Sequence, residues 1–152
     1  MNPNSHFKEL LSGLNTAGAR YLVVGGYAVM LYTEPRYTKD LDIWVEASEE
    51  NSRRVFRALA QFGAPLAGIN QDDFSKKDVI YQLGAAPSRV DVLTSVSGLD
   101  FEEAWLRRTD AEFGDVSASF IGLDDLLKNK RAVGRYTYLA DCERLSETRK
   151  PR

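Results

Sequence analysis

Three carboxylates and one lysine carry most of the chemistry this sequence can offer. Asp40 and Asp42 stand one residue apart at the start of the apolar run Asp40-Leu41-Asp42-Ile43-Trp44-Val45. Successive side chains of a strand alternate faces, so both acids project from one side while Leu41, Ile43 and Val45 line the other. Like charges held so close cost energy unless something positive lies between them. Asp91 sits in the middle of a second apolar run, Ser88 to Thr94, where an unpaired buried carboxylate would be expensive. Two kinds of partner answer that need: a metal ion held jointly with Asp40 and Asp42, or a salt bridge to Arg89 or Arg36. For Asp40 and Asp42 alone, an exposed edge strand with solvated carboxylates is the plainer alternative.

A second set of residues suits an anion. The apolar run Tyr21 to Val24 delivers Gly25 and Gly26, followed by an apolar helical segment from Tyr27 to Tyr32. Backbone N–H groups at such a helix start can approach a phosphate with no Cβ in the way, although the same dipeptide also serves as a tight turn with no ligand. Thr33 to Lys39 is a polar loop carrying Arg36, Thr38 and Lys39 directly before the acidic pair. Lys130 falls on the apolar stripe formed by Leu123, Leu126, Leu127 and Val133. It either points inward towards an acid or an anion, or snorkels to solvent from the helix end.

The elements that must position these groups follow from periodicity. Phe7, Leu10, Leu11 and Leu14 recur at helical spacing after Asn4 or Ser5 as a cap, with Gly18 as a stop. Tyr21 to Val24 is too short for a helix and reads as a buried strand. Ser48 caps a helix with Glu49 and Glu50 in its first turn, apolar positions at Val55, Leu59 and Phe62, and an end at Gly63. Arg53, Arg54 and Arg57 decorate its solvated face. Asp78 to Leu83 and Ser88 to Thr94 read as a hairpin around Gly84 to Pro87. A short helix from Phe101 to Arg108 after Asp100, a strand from Val116 to Ile121, the helix from Leu123, and a last helix marked by Tyr138, Leu139, Cys142 and Leu145 complete the set.

Composition bounds the class. The 152 residues are 43% apolar, which fits one domain over residues 1–152 with a short charged tail at about 146–152. Twenty basic residues against 22 acidic ones leave a net charge of -2, so any nucleic-acid contact must be local. One cysteine and one histidine exclude an intramolecular disulfide and a Cys/His metal site. No leader or membrane-length run is evident, which leads to the expectation of a cytoplasmic protein with no membrane partner.

The order of an apolar strand, Gly25-Gly26, thirteen intervening residues, Asp40-x-Asp42 and a later apolar strand bearing Asp91 resembles the nucleotidyltransferase fold of the DNA polymerase β superfamily. More narrowly, Gly25-Gly26-Tyr27-Ala28, Arg36-x-Thr38-x-Asp40-Leu41-Asp42-Ile43 and Leu126-Leu127-x-x-Lys130-Arg131-x-x-Gly134-Arg135 resemble the AbiEii-type toxins and the minimal nucleotidyltransferase antitoxins. The similarity runs from about Phe7 to Leu145.

The resemblance implies an α+β fold with a mixed twisted sheet of about four to five strands flanked by helices. It implies a metal-dependent enzyme that moves a nucleoside monophosphate from an NTP to a protein or RNA acceptor, within a toxin–antitoxin or phage-defence module and beside a cognate toxin or antitoxin partner. Two alternatives accompany it: an antitoxin-like binding module with little turnover, and a small-molecule nucleotidyltransferase of the aminoglycoside-modifying kind. Carried over residue by residue, Asp40, Asp42 and Asp91 are catalytic and ligate Mg²⁺ or Mn²⁺. Gly25, Gly26, Arg36, Thr38 and Lys130 bind the nucleotide. The chain departs from the pattern at Arg135-Tyr136-Thr137-Tyr138, where many relatives have Arg-Pro-Lys-Asp, while Asp141 agrees with it. It also lacks the helical C-terminal half of the larger toxins.

Overall fold

Every residue of Tyr21–Val24 is buried, and this short apolar segment becomes an inner strand of the sheet around which the chain folds. The computed structural model describes residues 5–34, 40–84, 89–133 and 145–146. Its elements are α1 (Ser5–Thr16), β1 (Tyr21–Val24), α2 (Gly25–Tyr32), β2 (Asp40–Val45), α3 (Glu49–Phe62), β3 (Ile80–Leu83), β4 (Arg89–Leu93), α4 (Phe101–Leu106), β5 (Thr109–Phe113), β6 (Val116–Phe120) and α5 (Leu123–Val133), with a 3-10 turn at Asp73–Ser75.

The described strands form one six-stranded mixed sheet in the order β3-β4-β2-β1-β6-β5. β2 runs antiparallel to β1 and parallel to β4, β1 runs parallel to β6, and two antiparallel hairpin partners, β3 and β5, close the edges. The sheet has more strands than the four or five expected. The unanticipated one is β5, whose sequence Thr-Asp-Ala-Glu-Phe has the alternation of a half-exposed strand but too few apolar residues to announce it. Its pairing with β6, from Thr109 opposite Phe120 to Phe113 opposite Val116, supplies what the residue types do not.

On one face α1 and α3 pack against each other and onto the sheet. Phe7, Leu10, Leu11 and Leu14 of α1 are buried, as are Val55, Ala58 and Leu59 of α3. The caps of α3 are those its sequence calls for. Ser48 Oγ accepts a hydrogen bond from the Asn51 N–H, and Gly63 at φ 92° ends the helix in the left-handed region.

Trp44 projects from β2 on the side that carries Asp40 and Asp42, and it is buried. Its ring meets Phe101 of α4 edge-on at 5.1 Å between centroids, and Phe101 in turn stacks on Trp105 at 5.9 Å. Asp100 caps α4 by accepting from the Glu103 N–H. The end of α4 is tied to α5 by Arg107, which donates from Nε and Nη2 to the two oxygens of buried Asp125 at 3.0 and 2.9 Å. Gly122 packs so closely on the Arg107 carbonyl that a Cβ there would overlap it. These contacts fix where α5 lies. No described helix is long and apolar enough to cross a membrane. The expected last helix around Tyr138 and Asp141, apart from Leu145 and Ser146, falls outside the described residues.

Leu41, Ile43 and Val45 are wholly buried on the face of β2 opposite the acids, so the strand that presents Asp42 is anchored by core packing. Truncating Ile43 to Ala should destabilise the protein by about 2–5 kcal/mol through lost burial and a residual cavity. Urea unfolding measures this. A loss well under 1 kcal/mol would show that β2 is not the buried strand described.

Candidate active site

The register of two neighbouring parallel strands builds the site. In β2 and β4, Asp42 lies opposite Asp91 and Asp40 lies opposite Arg89. Strand alternation puts Asp40 and Asp42 on one face of β2, and Arg89 and Asp91 on one face of β4. Adjacent strands are about 4.8 Å apart, so three carboxylates and one guanidinium share a small area. Arg89 grips Asp91 with both arms of its fork: Nε donates to Oδ1 at 3.0 Å and Nη2 to Oδ2 at 3.1 Å. Of the two partners that the sequence allows for Asp91, the salt bridge to Arg89 is therefore present.

Asp42 shows the electrostatic consequence. Its pKa is raised from 3.8 to about 7, first because burial disfavours the charged form, then because Asp91 and Asp40 repel it. A carboxyl–carboxyl hydrogen bond with Asp91 favours the protonated form further, while the Lys130 charge pulls the other way.

The glycine turn meets this pair directly. Val24 lies opposite Asp42 in the β1–β2 ladder, so Gly25 comes next to the acid at the start of α2. Its φ is 67°, and a Cβ at this position would collide with Asp42 Oδ2. A glycine is thus required twice over, by backbone conformation and by close approach. Val24, which precedes the helix, places no side-chain cap on its N–H groups.

Lys130 resolves in favour of the inward reading. It is 2% exposed on α5, and with Gly25 and Asp42 it lines a cavity of about 320 Å³ whose wall also includes Ser95, Ser97 and Asn129. A larger cavity of about 410 Å³ adjoins Trp44, Glu46 and Glu102, and Ser95 lines both. The smaller one is lined by Asp42, Gly25 and Lys130 but not by Asp40 or Asp91. Ser95, Ser97 and Asn129 carry no sequence pattern that marks them, since they come from the segment after β4 and from the polar side of α5. Arg36 and Thr38 lie outside the described residues.

Among the described residues, no three Asp, Glu, His or Cys side chains converge as a ready-made metal cage. Arg89 holds both oxygens of Asp91, and unscreened carboxylates repel one another. The donor set nonetheless suits a hard divalent cation. It is all oxygen, and it includes a carboxyl whose proton persists to near neutral pH because of burial and the neighbouring acids.

No family model matches the sequence, and no curated protein is significantly similar to it. Solved structures are informative. One similar structure is a lincosamide antibiotic adenylyltransferase, LnuA, bound to lincomycin. It is 15% identical with a TM-score of 0.61 over 97% of this chain and 99% of that one. This chain has a nucleotidyltransferase-like fold. Another similar structure is an antigenic nucleotidyltransferase-like protein from Paracoccidioides brasiliensis, 16% identical, with a TM-score of 0.57 over 99% of this chain and 79% of that one. The likeness of fold extends over nearly the whole chain.

The state of Asp42 makes stability depend on pH. Between about pH 4 and 7 the folded protein holds a proton on Asp42 that the unfolded chain has released, so stability falls as pH rises through this window and levels off above it. Metal-free Asp42→Asn should therefore melt several degrees above wild type at pH 8, with a smaller difference at pH 5. A gap that stays constant from pH 5 to pH 8 would contradict the assignment of the raised pKa to Asp42.

Proposed function

We propose that this chain is a metal-dependent nucleotidyltransferase that transfers a nucleoside monophosphate from an NTP to an acceptor hydroxyl. The observation that carries the reading is the placement of Asp42 opposite Asp91, against Gly25 and beside buried Lys130. The nucleotidyltransferase-like fold supports it.

In this reading the N–H groups at the start of α2 receive the phosphates, because Gly25 and Gly26 leave the backbone open and the helix N-terminus favours an anion. Lys130 faces the triphosphate as a fixed positive charge from the wall of the cavity. Asp40, Asp42 and Asp91 would hold Mg²⁺ or Mn²⁺, which when bound supplies positive charge to the α-phosphate and to the departing pyrophosphate. Asp91 accepts the proton of the acceptor hydroxyl as that oxygen attacks the α-phosphorus. The new O–P bond forms, the α-phosphate bond to the β,γ-pyrophosphate breaks, and pyrophosphate leaves with the bonding electrons. Positioning and electrostatics do most of the work, as phosphoryl chemistry requires.

The acceptor in the toxin–antitoxin reading is a protein or an RNA, and the partner is a cognate toxin or antitoxin. That reading rests on the motif resemblance. A small-molecule acceptor is the second reading, favoured by the almost complete mutual coverage with a lincomycin-bound adenylyltransferase.

Incubation with α-labelled NTPs, Mg²⁺ and three acceptor pools (protein, RNA, and amino- or hydroxyl-bearing antibiotics) tests the proposal and separates the acceptors. Transfer should fall by about 10³-fold or more in Asp42→Asn and in Asp91→Asn, since each removes a charge on which the reaction centre depends. Undiminished transfer in both variants would sink the assignment. Absence of any transfer, with calorimetry showing no binding of NTP or Mg²⁺, would leave the binding-module alternative.

A further inference from the structure

The larger cavity, of about 410 Å³, has no role in the reaction as derived, yet it adjoins the smaller one at Ser95. Strand alternation explains its place. Trp44 follows Asp42 on the same face of β2, about 7 Å further along, and it lines the larger cavity while Asp42 lines the smaller. The volume is within the range of small-molecule sites.

The walls combine aromatic surface with unequal charge. Trp44 and Phe101, which meet edge-on at 5.1 Å, both line the cavity. So do Glu46, just past the end of β2, and Glu102 in the first turn of α4. Arg20 serves both acids at once, with Nη1 3.1 Å from Glu46 Oε2 and 3.6 Å from Glu102 Oε2. One guanidinium is too little for two carboxylates. The Glu102 pKa is accordingly raised, first by its hydrogen bond to Glu46, then by burial and by the Glu46 charge, with Arg20 opposing. Asp100 is a third acid in the wall and Lys77 a cation there. Trp44 adds a need of another kind: it is 2% exposed, and its indole Nε1–H is buried with no acceptor among the described residues. A buried donor left unpaired costs free energy until an oxygen meets it.

We propose that the cavity over Trp44 binds the acceptor, and that the acceptor is a small molecule carrying both protonated amine and hydroxyl groups, of the amino-sugar kind. The inference rests on the nucleotidyltransferase reading and deepens it by naming the acceptor class. An ammonium donates to Glu46 and Glu102 and supplies the positive charge they lack. A ligand oxygen accepts from Trp44 Nε1, and the apolar faces of the rings lie against Trp44 and Phe101. A further hydroxyl passes Ser95 towards the cavity of Asp42. A nucleic acid would instead bring its phosphates against Glu46, Asp100 and Glu102, so the same walls disfavour an RNA acceptor.

Calorimetry on the whole chain, with neither nucleotide nor metal, tests the site using a glucosamine disaccharide in its ammonium form and the N-acetylated disaccharide, which keeps hydroxyls but not charge. Wild type should bind the ammonium form about tenfold or more tightly than the neutral one. Glu46→Gln and Glu102→Gln should each cut that preference to about threefold or less, whereas Lys77→Gln should strengthen amine binding about two- to threefold by removing a like charge. Damage to the fold does not produce effects of opposite sign. If thermal melting shows Glu46→Gln unfolded, Glu102→Gln and Lys77→Gln decide the matter, since the Glu102 side chain is 65% exposed and Lys77 lies at the surface. Equal binding of the two disaccharides, or binding of neither, would overturn the inference and leave the nucleotidyltransferase reading to its own transfer assay. Label passing from NTP to protein or RNA but not to the bound disaccharide would overturn the acceptor role alone. Amine binding with no transfer to any acceptor would overturn both.

Discussion

The site depends on one constraint: two parallel strands in register force the carboxyls of Asp42 and Asp91 to face each other, with Asp42 inside the protein. Like charges in that geometry repel strongly in a medium less polar than water, and the molecule answers with every means its chemistry allows. Asp42 retains a proton to about pH 7, Asp91 takes the fork of Arg89, and the buried Lys130 draws Asp42 back towards ionisation. Gly25 gives up its side chain so that Asp42 has space at all. Each of these residues makes sense only in relation to the acidic pair.

The sheet order explains how residues distant in sequence meet. β2 folds back antiparallel on β1, which brings Val24 beside Asp42 and puts the glycine turn at the acid without any long-range search. Asp91 arrives from the other side because β4 pairs in parallel with β2, and a one-residue slip of that register would turn Asp91 into the opposite layer. Lys130 arrives last. Its helix begins just after β6, is held at its start by the Arg107–Asp125 pair, and carries the lysine two turns along into the cavity. The aromatic stack of Trp44, Phe101 and Trp105 holds α4 over the same face and so sets the position of the residue, Arg107, that ties down α5.

Much of this was readable from residue types. The strand bearing Asp40 and Asp42, the glycine turn, the capped helix from Ser48 to Gly63 and the hairpin bearing Asp91 all depend on local periodicity and turn chemistry, which the sequence states directly. β5 was not readable, because Thr109 to Phe113 is strand-like only by virtue of the partner it finds in β6. The environment of Lys130 was open for a related reason: periodicity places a side chain on a stripe but does not say whether the end of the helix is covered. The partner of Asp91 was open because a metal and an arginine satisfy the same need, and only the three-dimensional arrangement shows Arg89 in place. Trp44 reads from its strand as a neighbour of the acids, and its burial follows from Phe101, which is 57 residues away in the chain.

An ion-pair network that existed only for stability would not be built this way. A structural pair gains most when each carboxylate meets one cation and burial of surplus charge is avoided, because an uncompensated buried charge is strongly destabilising. Here the acids exceed the cations, Asp42 is driven well away from its ordinary ionisation, and a neutral Asn would fit the same space without that penalty. Perturbed ionisation in a cavity that also has a bare backbone turn and a buried lysine marks this place as the candidate functional site and supports the proposed reading. On the proposed nucleotidyltransferase reading, the proton that Asp42 keeps in the folded protein is one that a bound cation would displace, so the cost of burying this acid and the affinity for a cation would be two sides of one arrangement.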